Sequence, residues 1–161
     1  MAGDTPDKAT AGAGAALRLP SYLPYRLSVA SNKASGLIAR AYQAKFGLSI
    51  WEWRVIAVLG EGRPLTAQAL CEATAMDKVT VSRAIRALDE RGLVQRKPNP
   101  GDKRASDVTL TTQGGEVYAE VAPLALRYEQ MLLEGFSDEE RGQLMALLEK
   151  LEARLDKGGF E

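Results

Sequence analysis

DKVTVSRAIRALDERGLVQRKPNPGDKRASDVTL, running from Asp77 to Leu110, is the segment around which the rest of the chain is arranged. Over Lys78–Arg91 the apolar residues Val81, Ala84, Ile85 and Leu88 recur at helical spacing, which predicts a helix with that stripe turned inward. Lys78, Val79, Ser82, Arg83 and Arg86 then share the other side, so one face can anchor the helix while its opposite offers cations and a hydroxyl to a polyanion. Asp77 suits the N-cap, because its carboxylate can accept from an orphan backbone N–H. Gly92 suits the end, since it tolerates the left-handed conformation after a last turn. Leu93–Lys97 and Ser106–Leu110 have the alternation and β-branched content of paired strands, with Pro98, Asn99, Pro100 and Gly101 as the turn between them. A basic helix alone is as readily a solvated surface helix. The cationic hairpin behind it tips the reading toward a recognition helix followed by a β wing.

Composition narrows what such a unit can do. A chain of 161 residues suits one domain with extensions, able to bury roughly 70% of its unfolded surface without a disulfide. Cys71 is the only cysteine and cannot form an internal bridge, so no oxidising compartment is implied. There is no apolar run of about 18 residues and no signal-like N-terminus, so no membrane association is expected and the cytoplasm is the expected location. The absence of His removes the commonest metal ligand and general base, and one thiol cannot build a cluster. Neither an enzyme, a metal site nor a cofactor is expected. The formal net charge is zero, yet Lys78–Arg104 carries eight Lys or Arg against three acids, whereas Glu116–Glu161 carries eleven acids against five bases. A neutral chain so divided has an oriented field that can steer its basic face onto an anion.

Outward from the central stretch, residues 1–16 are small and aperiodic and are expected to form a disordered tail. Pro20 and Pro24 introduce a long amphipathic helix over Tyr25–Phe46, with Leu27, Ala30, Ala34, Leu37, Ile38, Ala41 and Tyr42 on one side and Gly47 at its end. Ser49 and Glu52 have the spacing of a capping box, which starts a second helix near Ile50 that runs to Gly60. The turn GEGRP breaks it, and Thr66 can cap a short third helix over Ala67–Ala73. Beyond the hairpin, a helix over Gln113–Glu134 carries Val117, Val121, Leu124, Ala125, Tyr128 and Leu132 on one side. Ser137 and Glu140 repeat the capping box before a last helix striped by Leu144, Leu147, Leu148, Leu151 and Leu155. The terminal helices lie outside the three-helix and wing unit and must bury their stripes somewhere. A symmetric homodimer that interleaves them does so, and so does a fold-back into a monomeric bundle.

VSRAIRALDERGLVQR followed by DKRASDVTLTTQG resembles the recognition helix, Asp-x-Arg wing tip and LTxxG exit of the MarR family of transcriptional regulators, a likeness that extends over roughly residues 23–155. The resemblance implies a mainly α (α+β) fold, with a winged helix-turn-helix DNA-binding domain at 49–112. N- and C-terminal helices at 17–48 and 113–161 would form an all-helical dimerisation region. It also implies a homodimer that represses from a palindromic operator in double-stranded DNA and is released by a small-molecule effector. Carried onto this chain, Thr66, Lys78, Val79, Thr80, Ser82, Arg83 and Arg86 would face DNA through the helix-turn-helix, while Lys97, Asp102, Lys103 and Arg104 would serve the wing. Arg83 or Arg86 can fork onto guanine O6 and N7, and Ser82 and Thr80 suit phosphates or either base type. Arg104 at a narrow tip can enter a minor groove. Asp102 then either orients Arg104 by a charge-assisted hydrogen bond or closes the turn by an Asx-type bond. Glu90 and Arg91 read as solvated or locally paired charges at a helix end and are left out of the site.

The family's effector pocket lies between dimer helices and winged domain, which on this chain would bring in Tyr22, Tyr25, Tyr42, Trp51, Trp53 and Arg54. Such a cluster could hold an aromatic acid or its thioester, with Arg54 meeting the carboxylate, although aromatic residues on helices are more often core. Two alternatives stay open. One is a winged-helix module that binds protein and has no preferred DNA sequence. The other is a redox-sensing regulator dependent on Cys71, whose neighbours Ala69, Leu70 and Ala73 suit a buried small hydrophobe better than a reactive thiol.

Overall fold

A computed structural model describes residues 16–158. The tail expected over residues 1–16 therefore lies, but for Ala16, outside the described residues. In chain order a 3₁₀ turn at Leu19–Ser21 precedes helices α1 (Leu23–Phe46) and α2 (Ile50–Leu59), strand β1 (Leu65–Thr66), and helices α3 (Ala67–Thr74) and α4 (Lys78–Glu90). Strands β2 (Val94–Pro98) and β3 (Ser106–Leu110) and helices α5 (Thr112–Leu132) and α6 (Asp138–Asp156) complete it. The chain divides into two compact units between Ala34 and Ser35, within α1. In the first, the Arg26 guanidinium donates to the Pro20 carbonyl at 3.0 Å, tying the start of α1 to the preceding turn.

The second unit holds the core. Val81, Ala84, Ile85 and Leu88 of α4 are buried, as the helical spacing predicts, against Val55, Ile56 and Leu59 of α2 and Leu70 of α3. Asp77 caps α4, Thr66 caps α3, and both expected capping boxes form, Ser49 with Glu52 and Ser137 with Glu140. Each cap satisfies a backbone N–H that the helix cannot. The turn between α3 and α4 is tight because Ala75 adopts a left-handed conformation, with φ +52°, and Met76 after it is buried. Among the described residues no helix is long and apolar enough to cross a membrane.

The expected hairpin forms and is antiparallel, with Val94 facing Leu110 and Pro98 facing Ser106, and its first strand sits one residue later than the sequence suggested. The sheet also has a third strand that alternation did not reveal. Leu65 and Thr66 pair with Val108 and Asp107, giving the order β1-β3-β2. This closes the helix-turn-helix and the wing into one ring.

Two glycines are fixed by close approach. A Cβ on Gly114 would stand 1.9 Å from the Leu93 carbonyl oxygen, and one on Gly60 would stand 2.3 Å from the Tyr118 ring. Gly114 is thus the last residue of LTTQG because α5 starts hard against the base of the wing. Thr111 seals the junction: its hydroxyl donates to the Gly92 carbonyl at 2.6 Å and accepts from Gly114 N–H at 3.1 Å, while its own N–H donates to Leu93.

Candidate nucleic-acid interface

The exposed side of α4 is built by subtraction. Once the apolar stripe is buried, the exposed residues of the first turns are Lys78, Val79, Ser82, Arg83 and Arg86, which together line one shallow groove of about 460 Å³, with Asp89 and Glu90 exposed beyond them at the end of the helix. Among the described residues none of its three cations has an ion-pair partner within the chain. Their charge therefore stands open to an outside anion. Thr80 is placed differently, because its hydroxyl donates to Asp77 at 2.7 Å beside the backbone bond that caps the helix. That hydroxyl bond is the first cause holding the Asp77 carboxyl below its ordinary value, with the Thr80 backbone bond second.

The wing tip is shaped by a residue that the sequence reading credited only with turn chemistry. The Asn99 side-chain oxygen accepts from the backbone N–H groups of Gly101 and Asp102, both at 2.8 Å, while its amide nitrogen donates to Asp107 across the hairpin at 2.7 Å. Asp102 in turn accepts from the Arg104 backbone N–H at 2.9 Å. Of the two roles left open for Asp102, this is the Asx-type closure; no ion pair joins it to the Arg104 guanidinium among the described residues. Lys97, Lys103 and Arg104 are exposed on the hairpin. Arg104 and Asp102 share a cleft of about 590 Å³ with Thr66, Gln68 and Arg96, so the wing tip and the start of α3 border one concavity. Asn99 could have been suspected from its place in PNPG, where an Asx side chain can fold the backbone back on itself.

Arg91 reaches three groups at once. Its guanidinium donates to the carbonyls of Phe46 and Gly47 and sits 3.7 Å from Glu52, the buried acid of the α2 capping box. The end of α1, the start of α2 and the end of α4 are thereby tied together, and Arg91 is a locally paired charge at the end of its helix.

The six residues considered for an effector are not all in one place. Tyr42 is buried and its ring stacks on Trp53 at 5.7 Å, and Trp53 stacks on Tyr118 at 6.3 Å. Burial pushes the Tyr42 hydroxyl above its ordinary value, partly offset by the charge of Arg54. Trp51, two residues along the same helix, points elsewhere: it is 45% exposed, with the Arg54 guanidinium 5.3 Å from its ring centre. Tyr22 and Tyr25, in the first unit, are exposed. Cys71 is half-buried.

The sequence model described as MarR family matches residues 46–105, which run from the end of α1 through the wing tip. The HTH-type transcriptional regulator YwoH of Bacillus subtilis is 32% identical over 124 residues, covering 75% of this chain and 90% of that protein. The HTH-type transcriptional repressor NicR of Pseudomonas putida is 30% identical over 96 residues, covering 60% of this chain and 61% of its own. Among solved structures, a MarR/EmrR family transcriptional regulator from Acinetobacter sp. ADP1 superposes with a TM-score of 0.80 at 30% identity, over 88% of this chain and all of that one. BpsR of Bordetella bronchiseptica, whose DNA binding is regulated by 6-hydroxynicotinic acid, has the same fold, with a TM-score of 0.75 at 24% identity over 85% of this chain and 97% of that one.

Proposed function

The chain belongs to the MarR family, whose members are transcriptional regulators and not enzymes, and from that premise we propose that it is a homodimeric repressor of a palindromic operator, released by a small aromatic acid or its thioester. The observation that carries the reading is the face of α4, which leaves three cations unpaired beside a wing with three more. On this reading Arg83 and Arg86 read guanine edges in the major groove, Lys78, Ser82, Lys97 and Lys103 hold phosphates, and Arg104 probes the adjacent minor groove. Asn99 and Asp102 shape the loop that presents Arg104.

Dimerisation is supported by the apolar surface left on the terminal helices. No residue of α6 is buried, and Leu144, Leu147 and Leu155 are exposed on it, as are Leu126, Met131 and Leu132 on α5. A second copy covers such stripes and sets the two α4 faces one helical turn of DNA apart, about 34–36 Å. The effector proposal rests on Trp51 and Arg54, an exposed indole with a guanidinium beside it, which suits an aromatic carboxylate.

The test is binding to a random duplex pool at rising salt. A dimer with 6–10 phosphate contacts loses about 10³–10⁵ in affinity between about 50 and 200 mM salt, and one palindrome survives competition. Arg86→Ala relaxes a single base position by about 1–3 kcal/mol, while Arg104→Ala weakens binding to most sequences and softens any A·T preference beside the half-site. Equal loss on every DNA for both variants refutes this division of roles, and no preferred sequence at all refutes the function.

A further inference from the structure

Val79 is the anomaly of the α4 face. It is a β-branched residue in the first turn of a helix, 58% exposed, and it lines a groove with three cations. Val is a poorer helix former than Ala, so at an exposed position it brings neither burial nor propensity. Its neighbours in the groove, Lys78, Ser82, Arg83 and Arg86, are all hydrogen-bonding groups. An apolar knob among them fits a surface that is polar except at one point.

The major groove of a DNA duplex is such a surface. Its base edges present donors and acceptors throughout, and its apolar group is the C5-methyl of thymine. The first turn of a recognition helix is also the part that meets base edges. We propose that Val79 is a specificity-determining residue that reads a thymine methyl in each half-site. The proposal rests on the DNA-binding function above and deepens it. The isopropyl group is held to few rotamers on a helix, so little freedom is lost on contact. Arg83 and Arg86 distinguish bases by hydrogen bonding, whereas Val79 separates thymine from uracil, a distinction that no hydrogen bond makes. Covering one methyl is worth roughly fourfold in affinity per half-site, and about fifteenfold for a dimer on both.

The experiment uses the full chain and the duplex it selects from a random pool. Each thymine is replaced singly by deoxyuridine, which keeps every hydrogen-bonding group and removes only the methyl, and affinity is read by fluorescence anisotropy at fixed salt. The expected result is one position per half-site where the replacement costs roughly fourfold, and a Val79→Ala variant in which that penalty shrinks, since alanine keeps only one methyl to meet the base. Val79→Ala removes an exposed side chain and keeps helix propensity, so it folds, and circular dichroism verifies this. A flat deoxyuridine scan with a specifically bound duplex overturns the Val79 assignment alone, as does a uracil penalty that is undiminished in Val79→Ala. Failure to select any duplex overturns the DNA-binding function and this inference with it.

Discussion

Gly114 and Gly115 are adjacent residues in the first turn of α5, and replacing each with Ala should move stability in opposite directions. A Cβ at Gly114 would lie 1.9 Å from the Leu93 carbonyl oxygen, where ordinary contact begins at 3.4 Å, so α5 and the base of the wing must separate by about 1.5 Å. The obstacle is backbone on both sides, and no side chain can swing away to relieve it. The movement strains the Thr111 N–H bond to Leu93 and the Thr111 hydroxyl bond to Gly92. Overpacking costs about 1–3 kcal/mol, two weakened hydrogen bonds about 1 kcal/mol each, and better helix propensity returns about 1 kcal/mol. The net is about 2–4 kcal/mol, or a Tm lower by roughly 5–15 °C for a chain of this size. At Gly115 an added Cβ meets nothing within 4 Å, and only the propensity gain of up to about 1 kcal/mol remains. Differential scanning calorimetry at matched protein concentration reads both, since an associating chain has a concentration-dependent Tm. A Gly114→Ala protein that melts with wild type, or a Gly115→Ala protein that falls equally far, refutes the steric account.

Three further outcomes follow from the same geometry. Asn99→Ala removes the acceptor for the Gly101 and Asp102 amides, so hydrogen exchange at those two amides accelerates while the α4 amides keep their protection; unchanged exchange at the wing tip contradicts the role given to Asn99. Arg91→Met leaves the buried Glu52 carboxylate without its cation and lowers stability by about 1–3 kcal/mol in urea unfolding. Arg91→Lys does not restore it, because an ammonium cannot span two carbonyls and a carboxylate as a planar fork does. Folding lowers the Asp77 carboxyl from its ordinary 3.8, so the stability it contributes is complete above that value and fades as pH falls through the lower folded one. The Tm difference between wild type and Asp77→Ala should therefore narrow on acidification, and a gap that stays constant rules the carboxylate out as the cap.

The helices were legible because their signals are local and redundant. The α4 stripe, the Asp77 and Thr66 caps and the two capping boxes each follow from spacing that one turn of helix enforces. The third strand was not, since two residues are too few to show alternation and the partners of Leu65 and Thr66 lie more than forty positions away. For the same reason Gly114 read only as part of a motif: its contact is with Leu93, across a junction no periodicity describes. The separation of Trp51 from Trp53 was in reach, because residues two apart on a helix stand about 200° apart around its axis. The pairing of Trp53 with Tyr118 was not, as it depends on how α5 returns to α2.

Thr66 belongs to two elements at once, ending the strand that grips the wing and capping the helix that precedes α4. Lifting the wing would disturb the first turn of α3 as well, so on the proposed function the opening between wing tip and α4 is tied to that cap. A duplex held between them would then have to supply part of the compliance itself. Sequences with easily deformed pyrimidine–purine steps between the two contact points would then be favoured at base pairs the protein never touches.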